Sequence, residues 1–261
     1  MNKIIICVPI EIKKFLSSKT PLITMIGLMI LPFVGGFFMI ILKDPVVAQK
    51  MGIISTKAQI LGSNADWPSY FSLLTQGISL GGLIIFGFVT SWIFGREYSD
   101  RTIKDLLALP ISRNTIVISK FIVIFLWCMF LSISVFLIGL FVGKIIGLPG
   151  WSLEFLFSSS IIFSICSLLT ILLSTPVAFF ASFGRGYLSP LGFMIITLIL
   201  SQIVVAMGFG EFFPWSIPAL ASGIAGEESA ALTNISLSIV FLTSIIGLIS
   251  TIFWWRYADQ D

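Results

Sequence analysis

The stretch FSLLTQGISLGGLIIFGFVTSWIFGREYSDRTIKDLLALPISR, residues 71–113, changes character partway along. Residues 71–95 carry no charge. Residues 96–113 then hold Arg96, Glu97, Asp100, Arg101, Lys104, Asp105 and Arg113, and a second greasy run follows. An α-helix needs about 20 mostly apolar residues to cross the hydrocarbon core of a bilayer. The pattern therefore reads as a membrane span, a charged loop and another span. Taken as a helix, the loop places Ile103, Leu106 and Leu107 at i, i+3 and i+4, on one face. Glu97–Arg101, Asp100–Lys104 and Arg101–Asp105 fall at the i, i+4 spacing of helical ion pairs. Pro110 stops such a helix, and Ser112 or Asn114 is placed to cap the next one. The expected product is a rigid amphipathic helix held beside the membrane by two spans.

Working outward, comparable runs occur at 21–42, 71–94, 119–143, 155–183, 187–210 and 232–255. They are long and continuous, unlike the short alternating strands of a membrane barrel. The expected fold is an all-α membrane protein, a bundle of six transmembrane helices forming one domain over residues 1–261. Composition agrees. The chain is 57% hydrophobic and only 10% charged, with mean hydropathy +1.09. So little charge cannot clothe a soluble domain. The net charge of +3 is too small for the dense basic face that nucleic acid requires, so no nucleic-acid partner is expected. There is no histidine, which removes His-based metal sites and His-assisted nucleophiles. Cys7, Cys128 and Cys166 lie far apart and read as buried structural thiols. No catalytic or metal-ligating residue is nominated. Glu227–Glu228 resembles the paired acids of membrane-embedded proteases, but those also need histidine, so the pair reads as a solvated loop end.

The N-terminal EIKKFLSSK, residues 11–19, reads as an uncleaved amphipathic helix on the inner membrane surface. Lys13 and Lys14 are expected to meet lipid headgroups, with Ile12, Phe15 and Leu16 turned to the acyl chains. Basic residues set orientation, because cytoplasmic loops carry the excess of Lys and Arg. With the N-terminus inside, Lys43, Lys50, Lys57 and Lys144 fall outside, and the other eleven of the fifteen fall inside. Both termini are then cytoplasmic. Trp67, Trp151, Trp215, Trp254 and Trp255 lie near span ends, where interfacial aromatics belong. Gly35–Gly36 and Gly81–Gly82 offer small packing surfaces, and Pro32 and Pro176 are candidate kinks. The first outer loop, about 43–68, is long and polar. The last, 211–231, carries Pro214, Trp215 and Pro218 and suits short helices dipping into the outer interface.

Residues 97–113 resemble the second inner-loop signature of ABC (ATP-binding-cassette) export permeases of the type-two superfamily. That signature reads Glu, a few residues, Gly-Thr, Leu-Leu, Pro and Ser-Arg. Glu97, Thr102, Leu106, Leu107, Pro110, Ser112 and Arg113 match it, while Arg101 stands where the family usually has Gly. FPWSIPA, residues 213–219, is similar to the family's outer loop before the last span, particularly in its bacteriocin-immunity and bacitracin-resistance branch. EIKKFLSSKTPLI is similar to its inner amphipathic segment. The resemblance implies a permease of the bacterial plasma membrane with no cofactor of its own. Consistently, the chain has no GxxxxGK[ST] phosphate loop. ATP-Mg would bind a separate ATPase subunit, docked on a coupling helix at 97–109, beside membrane lipid and a second permease, identical or a sister chain. Ile103, Leu106 and Leu107 would be docking contacts, with Glu97, Arg101 and Lys104 as rim charges. The branch resemblance implies export of an amphipathic peptide antibiotic or lipid-like cargo. The alternatives are export of sodium or another small ion, or an ion channel or secondary carrier. These want polar groups within spans, where Gln76, Gln202 and Thr90 are the best on offer.

Overall fold

The computed structural model describes residues 3–43, 65–108, 110–223 and 233–258. Most of the first outer loop and the Glu227–Glu228 pair lie outside them. Among the described residues the regular structure is entirely helical. Helix α1 (Lys3–Leu16) is followed by α2 (Thr20–Lys43), α3 (Trp67–Ser99), the short α4 (Ile103–Leu107) and α5 (Arg113–Ile146). Then come α6 (Leu153–Leu172), α7 (Thr175–Phe183), α8 (Leu188–Ala206), α9 (Ile217–Ala221) and α10 (Asn234–Tyr257). Six segments are long and apolar enough to cross a membrane: α2, α3, α5, α6 with α7, α8 and α10.

Two spans outrun their apolar cores. Helix α3 has 33 residues and α5 has 34. At 1.5 Å per residue each is about 50 Å long, well beyond the hydrocarbon thickness. Polar caps set the extra turns. The Asp66 side chain accepts from Ser69 N at 2.9 Å, with Pro68 in the first turn, so α3 starts before the apolar run. Ser112, one of the two expected caps, accepts from Thr115 N and starts α5 at Arg113. Helix α3 is the hub, touching α2, α5, α6, α7, α8 and α9. Its Tyr70, Phe71, Leu74, Ile78, Phe86 and Phe94 form the spine of the core. The Ile, Leu and Phe side chains exposed on α2, α5, α8 and α10 face where lipid would lie.

Both candidate prolines lie in spans, with different outcomes. Helix α2 runs through Pro32 unbroken. The fourth span breaks at Leu173–Ser174, because Pro176 has no N–H to offer the Leu172 carbonyl. That carbonyl is met by the hydroxyls of Ser244 at 2.8 Å and Thr175 at 2.9 Å. Hydroxyl partners from a neighbouring helix are what a broken span needs inside a bilayer. At the same crossing a Cβ on Gly247 would lie 2.6 Å from Pro176 N, so only glycine allows this approach.

Two helix ends are clamped by a cation from another helix. Lys43 Nζ donates to the carbonyls of Ile146 and Gly147 at 2.7 and 2.8 Å, closing α5 at one end of the bundle. Arg113 Nη1 donates to the carbonyls of Trp255 and Arg256 at 3.0 and 3.2 Å, closing α10 at the other. The expected short helices before the last span are present as two single 3-10 turns followed by α9. They go deeper than the rim. The Trp215 ring packs on Phe193 at 5.3 Å, and Phe193 stands thirteen residues, about 20 Å, before the end of α8. Two other tryptophans are core rather than interfacial. Trp67 is buried, and Trp255 is fully enclosed, donating to Ser182 Oγ at 2.9 Å.

Candidate functional site

The charged stretch is not one helix. Helix α3 ends at Ser99, Arg101 adopts φ 57°, and a new turn of helix starts at Ile103. Arg101 N donates to Tyr98 O at 3.1 Å and Thr102 N to Glu97 O at 3.0 Å. This pair of bonds, with a left-handed residue just past the helix end, is the Schellman arrangement. It accounts physically for the sequence signature. The left-handed position favours Gly, which Arg101 replaces here, and the residue after it closes back onto Glu97. Thr102 does so twice, since its Oγ1 also donates to Glu97 Oε2 at 2.8 Å. The expected pairs across 97–105 presuppose a continuous helix, which this turn interrupts. The ion pair seen in the last turn of α3 is Arg96–Asp100, at 3.1 Å.

Glu97 is not a rim charge. It is 3% exposed and sits in a closed ring of four ions. Its Oε1 accepts from Lys14 Nζ at 2.8 Å and from Lys120 Nζ at 2.9 Å. Lys120 Nζ also donates to Glu11 Oε2 at 3.1 Å and to the Ile93 carbonyl at 3.1 Å, using all three of its protons. Glu11 Oε1 lies 3.3 Å from Lys14 Nζ and completes the ring. Two carboxylates balance two ammoniums, so no net charge is buried. Exposure is 1% for Lys120 and 8% for Glu11. For Lys14, burial pulls the pKa down, but Glu11 and Glu97 outweigh it and the pKa ends above its ordinary value. Arg96 adds a strap, with Nη1 donating to Lys14 O at 3.3 Å and the guanidinium 5.0 Å over the Trp92 ring. The ring thus joins α1, the end of α3 and the start of α5, and reaches the turn through Thr102.

The remaining nominated residues divide into three groups. Lys104, like Arg101 and Thr102, is exposed, as are Asp105 and Ala108. Ile103 is 7% exposed and packs into the protein's own core, with Leu106 half-buried against it. This face of α4 is spent on the bundle. The Leu107 side chain lies outside the described residues. Pro110 is exposed, and Arg113 clamps α10 instead of facing outward freely. In α1, Lys13 is exposed, but Lys14 belongs to the ring and Phe15 is 2% exposed. Phe15 stands edge-on to Trp92 at 5.6 Å and Trp127 at 5.3 Å. Helix α1 is therefore docked on the bundle, and of the expected apolar face only Leu16 is exposed. In the short helices before the last span Pro218 is buried, while Pro214 and Trp215 are half-buried.

Glu11, Lys120, Trp92 and Trp127 were not singled out by sequence. Lys120 carried a usable signal. An ionisable residue at the edge of an apolar run needs a partner, and Glu97 is the acid nearest the end of the preceding run, with Glu11 among the others on the same expected face.

The chain matches the ABC-2 family transporter protein model over residues 7–202, from within α1 to late in α8. It is 30% identical over 183 residues to the bacitracin transport permease protein BCRB of Bacillus licheniformis, covering 70% of this chain and 87% of that protein. The matched region includes the ion ring, the Schellman turn and α4, while the short helices at 210–221 and α10 lie beyond the family match. With six spans, a charged turn slung between the second and third, and this match along most of its length, the chain belongs to the ABC-2 family of transporter proteins, as a multi-pass permease of the bacterial plasma membrane.

Proposed function

We propose that this permease exports an amphipathic peptide antibiotic or lipid-like cargo, driven by ATP-Mg on a separate ATPase subunit that docks on the exposed face of α4. In this reading α1, α4 and both termini are cytoplasmic, and a second permease, identical or a sister chain, completes the pathway. The family match over residues 7–202 carries the reading. The cargo class is supported by the relative's name, since bacitracin is a peptide antibiotic. Helix α4 suits the docking role by position. It hangs between two spans of 33 and 34 residues, and one of them is the hub of the bundle. A push on α4 reaches the pathway through both. The contacts offered to the ATPase are Arg101, Lys104 and Ala108. Charged groups at such a surface set register and partner choice.

The test is co-expression with a candidate ABC ATPase from the same organism, followed by affinity purification. The wild type is expected to bring down a Walker-A-bearing subunit. Lys104→Glu with Ala108→Glu is expected to insert normally and lose it. Recovery of the ATPase by that variant at wild-type yield would falsify the docking assignment.

A further inference from the structure

The ion ring has a geometry that neither helix packing nor lipid anchoring requires. A buried ion pair is weak as a source of stability, because desolvation cancels much of the Coulomb gain. What such a group supplies is fixed geometry. Glu97 is the pivot here. One carboxylate oxygen holds α1 and α5 through Lys14 and Lys120, and the other holds the turn leading to α4 through Thr102. Phe15, inserted between Trp92 and Trp127, and the Arg96 bond to Lys14 O give the same three helices a second attachment. All of these groups except Thr102 lie on long helices, so α1, the end of α3 and the start of α5 cannot separate without leaving a buried charge unpaired, and Thr102 ties the turn to them.

We propose that Glu11 and Lys120 are positioning residues for coupling, acting through Glu97 and Thr102 to make α1 move with α4 as one body. This rests on the docking role of α4 proposed above. Helix α1 then passes motion to the membrane surface as well as anchoring the chain there, and the stroke received at α4 is delivered to α5 and α1 together.

The experiment uses the permease–ATPase complex in lipid nanodiscs. Spin labels are placed at Lys13→Cys on α1 and Asp105→Cys on α4, both exposed positions, while the three native cysteines are buried. Their separation is measured without nucleotide and after trapping with ATP and vanadate. In the wild-type background the 13–105 distance is expected to change by less than about 2 Å. In Glu11→Gln with Lys120→Met, which removes one charge of each sign, the distance is expected to shift or broaden on trapping. Permease-dependent ATP hydrolysis is expected to fall about tenfold, with ATPase co-purification retained. Thr102→Val removes only the side-chain bond from the turn to the Glu97 carboxylate and is expected to do the same if the double variant proves unstable. A wild-type distance that changes on trapping as much as the variant's overturns the proposal, as does a variant that matches the wild type in both readouts. Failure of the wild-type chain to hold any ATPase would instead overturn the function on which it rests.

Discussion

Arg101 and Arg185 both adopt a left-handed backbone conformation, φ 57° and φ 50°, that glycine reaches without steric cost. The same closure ends α5 at Gly147 and α8 at Gly208. Of these four closures, the two on the opposite side of the bundle use glycine and the two on the α1 side use arginine. A cation just past a helix C-terminus is favoured by the helix dipole, which offsets part of the strain. Arg101→Gly is therefore expected to be neutral or to stabilise by up to about 1 kcal/mol. Arg101→Val, β-branched in the same conformation, is expected to cost about 1–2 kcal/mol. Thermal unfolding in detergent checks the order Gly, Arg, Val, and a Val variant as stable as the Gly variant would contradict the left-handed turn. Lys14 supports a second prediction. Its pKa is raised above the ordinary 10.5, so its contribution is complete below that value and is lost only as pH rises through the raised one. Lys14 is thus expected to give no change in melting temperature between about pH 6 and about pH 9, whereas Lys14→Met lowers it throughout that range.

At the scale of elements, the break between α6 and α7 is sustained from outside the span that contains it. The Leu172 carbonyl, freed by Pro176, has two hydroxyl partners, one local and one on α10. Either alone can satisfy it. Ser244→Ala and Thr175→Val are each expected to cost about 0.6 kcal/mol, the usual worth of an interhelical hydrogen bond in a membrane. The double variant orphans the carbonyl in an apolar site, and its cost is expected to exceed the sum of the singles by about 1 kcal/mol or more. Additive singles in a thermal-shift cycle would show that something else meets the carbonyl. Gly247→Ala drives a methyl into the backbone at Pro176 and is expected to cost about 2 kcal/mol or more. Elements of this kind were partly legible in sequence. Hydropathy locates all six spans, and proline marks both the short helices before the last one and the break. The true lengths of α3 and α5 were not visible, because Asp66 and Ser112 cap them outside the apolar runs and Arg96 and Glu97 stay helical past the apolar run of α3.

For the whole molecule, the sequence revealed the charges but not their partners. Lys14–Glu97 and Lys120–Glu11 join residues 83 and 109 positions apart, so no local spacing announces them. Glu97 looked like a surface charge because helical periodicity was extended across a turn that an arginine, unusually, occupies. The structure does show that the two ends of the bundle differ. Helices α1 and α4, the turn at Arg185 and the end of α10 gather at one end, the one that holds eleven of the fifteen basic residues. Since basic residues resist translocation, this end is expected to be cytoplasmic. The buried cysteines leave the native chain a clean background for thiol labelling, so the orientation can be read with one reagent. A membrane-impermeant maleimide is expected to label Lys144→Cys in intact cells and Lys13→Cys only after permeabilisation. The outcome discriminates, because Lys13 lies on α1 beside the ion ring, and the ring ties α1 to the turn before α4. Lys13→Cys labelled from outside an intact cell would put α4 outside as well, beyond the reach of any cytoplasmic ATPase.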